Sequence, residues 1–269
     1  MLGAIIGDII GSRFESKSKR IKRTNFELFT KDSKFTDDTV FSIAIADWLI
    51  RDKGNNPETL VKLMQTYGRM YPRAGFSSAT KAWINSDSPL PYGSRGNGAA
   101  MRVSPIGWAF NNLDDTLRIA ELSAAVSHNS LEAITAAKAV ATAIFLARNK
   151  ASKSDIKDFI VQNCGYDLNR TCEEVRPDYQ ACFTCDGSVP EAIIAFLDGS
   201  DYESTIRLAV SLGGDSDTQA CIAGGIAEAY YGAIPREITT KAIHKLLSQF
   251  REILLEFAMS LGYDLPRFV

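Results

Sequence analysis

Apolar positions recur along this chain at helical spacing over almost its whole length, and strand-like alternation is nearly absent. Residues 2–11 are apolar apart from Asp8 and carry glycine at positions 3, 7 and 11. That four-residue spacing sets the three glycines near one helix face, where a second helix can approach closely. Asp8 then lies inside an apolar surface, and a buried acid needs a partner, for which a nearby arginine would serve. After a polar loop, residues 40–50 are hydrophobic nearly all round, as in a buried central helix. Asn56-Pro57-Glu58 predicts a helix start, followed by Leu60, Leu63, Met64, Tyr67 and Met70 at helical spacing and stopped by Pro72.

Further helix starts are predicted from capping residues. Asn112 precedes a face of Leu113, Leu117, Ala120 and Ala124. Asn129 with Glu132 opens an alanine-rich run to Arg148. Ser154 begins a helix that Gly165 ends, Ser188 with Glu191 leads into residues 192–197, and Ser200 pairs with Glu203. Ile243, Leu246, Leu247, Phe250, Leu254 and Phe257 form one last face, closing at Gly262. Residues 26–29 alone hint at a strand. With no internal repeat and no linker-like stretch, the pattern predicts an all-α fold in one compact domain, residues 1–269.

Composition narrows the class. With 45% hydrophobic residues the 269-residue chain can bury a substantial core, and 23% charged residues are ordinary for a globular protein. A net charge of −2 gives no general attraction to nucleic acid or anionic membrane. Residues 13–23 are a local exception, with Arg13, Lys17, Lys19, Arg20, Lys22 and Arg23 against Glu15. A solvated loop is the plain explanation and a phosphate-facing loop the alternative. The alanine-rich run contains Lys138 and is too short to span a bilayer. The apolar start lacks a basic leader and is interrupted by Asp8, so no signal peptide is expected, and a cytoplasmic location is. Five cysteines then read as reduced thiols. Cys182 and Cys185 have metal-site spacing but lack a second such pair.

Two stretches carry the chemistry. Gly213-Gly214-Asp215-Ser216-Asp217-Thr218 and Phe35-Thr36-Asp37-Asp38-Thr39 each deliver two carboxylates to the start of an apolar run. Asp215, Ser216 and Thr218 are good N-cap types, and Ser216 with Gln219 fits a capping box. Two acid pairs, however, are more than capping needs, and crowded carboxylates repel unless a cation lies between them. Oxygen donors from Asp and Thr suit a hard cation, Mg²⁺ before Ca²⁺ or Mn²⁺. Gly93-Ser94-Arg95-Gly96-Asn97-Gly98 is a glycine-rich loop whose N–H groups could cradle a phosphate. It lacks the ending of a P-loop and the context of a dinucleotide fingerprint.

These motifs occur together, in order. Asp8-x-x-Gly11-x-x-x-Glu15, residues 35–39, Gly96-Asn97-Gly98-x-x-Met101-Arg102, Ser127-His128-Asn129, Ser188-Val189-Pro190-Glu191-Ala192 and residues 213–218 make the chain resemble the ADP-ribosylglycohydrolase family over nearly its full length. The resemblance implies an all-α domain of that type with a cleft holding two Mg²⁺ ions, for which Mn²⁺ could substitute. It assigns Thr36, Asp37, Asp38, Asp215, Asp217 and Thr218 as metal ligands and places the catalytic roles on Glu15, Asp38 and Asp217. Ser94, Arg95, Gly96, Asn97, Gly98 and His128 would hold the ADP-ribose.

The implied reaction is hydrolysis at the anomeric carbon by a metal-activated water, with Glu15 as the carboxylate left free for proton transfer. The implied substrate is an ADP-ribosylated protein or a small molecule carrying O-linked or O-acetylated ADP-ribose. Neither nucleic acid nor membrane is expected as a partner, and a monomer is favoured. One position departs from part of the family. Members cutting arginine-linked ADP-ribose carry an acid two residues before Gly-Asn-Gly, and here that residue is Ser94. Two other readings stand beside this one. A catalytically silent ADP-ribose binder would not need the intact acid set. A nucleotide-sugar transferase using Asp215-Ser216-Asp217 would want an α/β fold.

Overall fold

Helix follows helix from Leu2 to Ser260 in the computed structural model, which describes residues 1–262. The elements are α1 (Leu2–Gly11), α2 (Asp37–Asp52), α3 (Pro57–Met70), α4 (Ser78–Ile84), α5 (Ser104–Ala109), α6 (Leu113–Ala125) and α7 (Leu131–Arg148). They continue as α8 (Lys153–Cys164), α9 (Cys172–Val175), α10 (Cys185–Asp198), α11 (Tyr202–Ser211), α12 (Ser216–Tyr231), α13 (Arg236–Ile243) and α14 (Ser248–Ser260). Short 3₁₀ turns lie at Ser12–Phe14 and Asn97–Ala99. No strand occurs among the described residues, and none of their helices is long and apolar enough to cross a membrane.

The glycine spacing of α1 decides what surrounds it. A Cβ added at Gly3 would lie 2.5 Å from the Gly224 carbonyl oxygen, at Gly7 2.0 Å from that of Ala220, and at Gly11 2.2 Å from that of Ser216. Backbone therefore lies on backbone along α1 and the part of α12 from Ser216 to Gly224, which no side chain on that face would permit. All ten residues of α1 are buried, as are residues 216–229 of α12. Around this pair α12 also packs on α7, α10 and α11, while α2 packs on α3, α5 and α14. The Met1 ammonium and the Gly3 N–H both reach the Glu228 carboxylate, tying the start of α1 to α12. One hydrophobic core runs through these layers.

Several boundaries differ from the sequence reading, three of them because a neighbouring polar residue is the better cap. Ser130, not Asn129, accepts from Ala133 at the start of α7, and Asn129 turns to accept from Gly93 N at 2.8 Å. Ser152 opens α8 in a reciprocal capping box with Asp155, and Gly165 closes it at φ 71°. Asp201 and Ser204 do the same for α11 in place of Ser200 and Glu203. Helix α10 begins at Cys185 and carries Pro190 inside it, so Ser188 is helical and donates to the Thr184 carbonyl at 2.7 Å. The last apolar run is two helices, α13 and α14, separated at residues 244–247. Residues 26–29 form no strand. Phe26 packs its ring on Phe14 at 5.0 Å, within an irregular loop.

Candidate active site

The contact between α1 and α12 brings together acids far apart in sequence. Asp8 comes from the middle of α1, Asp38 from the first turn of α2, and Asp215 and Asp217 from the start of α12. These four are at most 5% exposed. One carboxylate oxygen each of Asp8, Asp38 and Asp217 lies within 4.8 Å of the other two. A second group at the same separation comprises Glu15, Asp215 and Asp217, so Asp217 belongs to both. Glu15 follows the 3₁₀ turn at the end of α1 and is the one exposed member.

Simple helix capping does not account for these residues. Thr36 and Asp215 are the N-cap residues of α2 and α12, and neither makes a side-chain capping bond. Ser216 is the first helical residue of α12, and Gln219, its expected capping-box partner, instead donates to the Tyr179 hydroxyl at 3.0 Å. Both helices thus present their electropositive N-termini to the acids while leaving the cap side chains for other work.

Hydrogen bonds divide the acids by role. Asp8 accepts from Thr36 N at 2.9 Å, Thr36 Oγ1 at 2.7 Å, Thr39 N at 3.2 Å and Thr39 Oγ1 at 2.5 Å. Its partners are therefore threonines of α2, not an arginine, and it fixes the start of that helix against α1. Thr36 Oγ1 also lies 3.1 Å from Asp38 Oδ2, but Asp38 Oδ1 is buried with no hydrogen-bond partner among the described residues. Asp217 Oδ1 accepts from Thr218 N at 3.0 Å, and Asp215 Oδ2 from Asn97 Nδ2 at 2.7 Å. Asp37 is half-buried and in neither close group. Its N–H donates to the Ala74 carbonyl, and Gly75, at φ +117°, would place a Cβ 2.9 Å from its Oδ1.

Burial and mutual repulsion raise the acid pKa values together. Burial lifts Asp8 to about 6. Asp37 is pushed up to about 8, by burial first and the Asp8 charge second. Asp38 and Asp217 rise well above the carboxylate range, again by burial and then by neighbouring acids. Burial also raises Asp215 and Glu15, and the Asp215 charge adds to the rise at Glu15 while Lys34 and Arg20 oppose it. Such a group cannot be fully ionised near neutrality unless a cation joins it. The unpartnered Asp38 oxygen and the all-oxygen donor set fit a hard divalent cation.

The glycine-rich loop meets the acids through Asn97, which donates to both Asp215 and Ser188. Ser94 Oγ accepts from Gly96 N at 3.1 Å, tightening the turn. Arg95 is exposed and reaches outward to Glu132 at 3.0 Å and Asp186 at 3.4 Å. Gly98 lies over His128, where an added Cβ would stand 3.1 Å from Nε2. His128 is 4% exposed, packs its ring 5.1 Å from that of Tyr92, and shares Nδ1 with Ser127 Oγ at 2.9 Å. Burial and the Arg102 charge lower its pKa to about 3, so the imidazole is neutral. Buried Arg102 donates to Ser123 O and Ser127 Oγ, which orders the Ser127-His128 corner. The structure brings Asp8, which the sequence reading does not place at the site, into the acid group, and adds Gly75 and Tyr92. A lone acid in an apolar run was the signal for the first of these.

Fold and site define an all-helical scaffold in which buried acids and a glycine-rich loop converge. The chain belongs to the ADP-ribosylglycohydrolase family, whose model matches residues 1–264. It is 26% identical to human ADP-ribosylhydrolase ARH3 over 307 residues, covering 86% of this chain and 84% of that one. Identity to the ADP-ribosylarginine hydrolase Tri1 of Pseudomonas putida is 23%, over 86% and 69% of the two chains. A solved structure described as an ADP-ribosylglycohydrolase-related protein complex superposes with TM-score 0.71 at 25% identity, over 97% of this chain and 95% of that one.

Proposed function

We propose that this enzyme is a Mg²⁺-dependent hydrolase that removes ADP-ribose from an O-linked or O-acetylated carrier. The observation that carries the metal is Asp38 Oδ1, a buried carboxylate oxygen without a hydrogen-bond partner among acids of raised pKa. The two overlapping groups sharing Asp217 suit two ions. Asp38, Asp215 and Asp217 from those groups would hold them, with Thr36, Asp37 and Thr218 beside them in sequence as the further oxygen donors. Asp8, already satisfied by four hydrogen bonds, aligns Thr36 and Asp38 for that task. When bound, Mg²⁺ supplies Lewis acidity and makes a neighbouring water easier to ionise.

The remaining roles belong to the chain. Glu15 stands at the exposed edge of the acids, its pKa raised by burial and by the Asp215 charge, where it can take and return a proton. The loop of residues 94–98 offers backbone N–H groups to the diphosphate, with Asn97 coupling its position to that of Asp215. Ser94 sets the linkage. A guanidinium leaving group gains from a carboxylate beside it, whereas a hydroxyl supplies no charge and does not repel an ester or ether oxygen.

The test is a panel of arginine-, serine- and O-acetyl-linked ADP-ribose substrates, each with Mg²⁺ and with EDTA followed by Mg²⁺ add-back. Release of ADP-ribose from the O-linked members, lost in EDTA and restored by Mg²⁺, is expected. A preference of about tenfold or more for the arginine linkage, near 1.4 kcal/mol of transition-state discrimination, would overturn the linkage assignment and leave the hydrolase standing.

A further inference from the structure

Glu15 borders a second feature, a pocket of about 450 Å³ that the acid group does not fill. Arg13, Glu15, Lys19, Lys31, Asp32 and Lys34 line it, with two serines. Four cations thus face two carboxylates. Lys19, Lys31 and Lys34 are exposed, and none makes an ion pair within 4 Å among the described residues. Arg13 is committed to the Glu27 carbonyl and the Phe14 ring, and its Nε is buried without a hydrogen-bond partner.

The basic run 13–23 is divided among separate tasks. Lys22 donates to the carbonyls of Arg176, Tyr179 and Leu212, and Arg20 to that of Glu15. Lys19 is left to the pocket, and Lys31 and Lys34 join it from the far arm of the same loop. These last two lie outside the basic run, so the sequence alone does not show the cluster.

We propose that this pocket receives acidic residues flanking the modified side chain of a protein substrate, on the leaving-group side of Glu15. The inference rests on the hydrolase reading above. The glycine-rich loop joins the acids through Asn97 and Asp215, and none of its residues lines the pocket. With ADP-ribose held by that loop, the chain it is bonded to continues past Glu15 into the lysines. Each exposed charge contributes little alone. Three ammonium groups without close ion pairs, outnumbering the carboxylates of the lining, act together within a Debye length of about 8 Å at physiological salt. They favour an acidic segment, speed its encounter and disfavour a basic one.

The test uses serine-linked ADP-ribosyl peptides that differ only in glutamate, neutral or lysine flanks, and compares their kcat/KM. The glutamate-flanked peptide is expected to lead the lysine-flanked one by about tenfold at low salt. That ratio should shrink in about 0.5 M NaCl and approach one in a Lys19→Glu/Lys31→Glu double variant. In parallel, fluorescence anisotropy of a dye-labelled, unmodified glutamate-rich peptide reads docking without turnover, and binding is expected to be lost in the double variant. A flank ratio within about twofold, or one that charge reversal leaves unchanged, overturns the proposal. Docking that depends on the lysines, with no peptide hydrolysed, supports the pocket and refutes the O-linked substrate reading. Hydrolysis without flank preference or docking does the reverse.

Discussion

At the scale of single residues, the acids divide by what each already touches. Glu15 is the exposed carboxylate of the group, with a pKa raised by burial and by the Asp215 charge. If it moves the proton, Glu15→Gln keeps shape and most hydrogen bonding but removes the base. The rate is expected to fall about 10²-fold or more, with ADP-ribose affinity changed far less. Steady-state kinetics beside calorimetric binding checks this, and an equal fall in both would make Glu15 a binding residue. His128 carries a prediction of opposite kind. Its folded pKa of about 3 lies below the usual 6.5, so the unfolded chain takes up the proton first. Its stabilising contribution is therefore complete above pH 6.5 and is lost as pH falls toward 3, at up to about 1.4 kcal/mol per pH unit. Urea unfolding of wild type and His128→Asn at several pH values should show a shallower acid slope in the variant. Most of these residues were legible in sequence because acids beside glycine and threonine are conspicuous. Asp8 was visible only as an oddity, since nothing local says that its partners lie 28 and 31 residues on, at Thr36 and Thr39.

At the scale of elements, the placement of the acids depends on two helices touching backbone to backbone. Gly7→Ala would put a methyl carbon 2.0 Å from the Ala220 carbonyl oxygen, where there is no flexible side chain to give way. Overpacking of this kind costs about 1–3 kcal/mol or more, and the separation it forces would also move Asp8 away from Asp217. Gly225→Ala is the control on the partner helix. Its nearest contacts would be Ser104 Oγ at 3.2 Å and the Ala4 Cβ at 3.4 Å. There the gain of about 1 kcal/mol in helix propensity offsets the crowding. Denaturant unfolding is expected to show a large loss for the first and a change near zero for the second. Comparable losses would mean that the two backbones are not held at this distance. The glycine period was readable because it has one structural use, whereas helix starts were not. Polar residues crowd each boundary, and tertiary neighbours decide which one caps, as when Asn129 leaves α7 to hold Gly93. The Ser188 start misled for a related reason. Proline favours the first turn, but α10 starts farther back at Cys185 and carries it inside.

For the molecule as a whole, the acid group is a store of destabilising charge that a bound cation would relieve. Buried carboxylates of raised pKa in α1, α2 and α12 make the centre of the fold costly to ionise, and Asp38 has an oxygen with no hydrogen-bond partner among the described residues. A ligand binding only the folded state at about 100 times its Kd adds about 2.7 kcal/mol. For a chain of this size that corresponds to a rise in Tm of roughly 5–10 °C. Mg²⁺ is therefore expected to raise the Tm of EDTA-treated protein by that order in scanning fluorimetry. Asp38→Asn separates this from a nonspecific salt effect because its two consequences have opposite sign. The neutral amide replaces a buried carboxyl that is costly to ionise, so the metal-free variant should be at least as stable as metal-free wild type. It also removes an anionic oxygen donor, so most of the Mg²⁺-dependent rise should vanish. A variant that kept the full Mg²⁺ response would place the ion elsewhere, and one that lost stability in EDTA would mean that Asp38 is held in the fold by its charge.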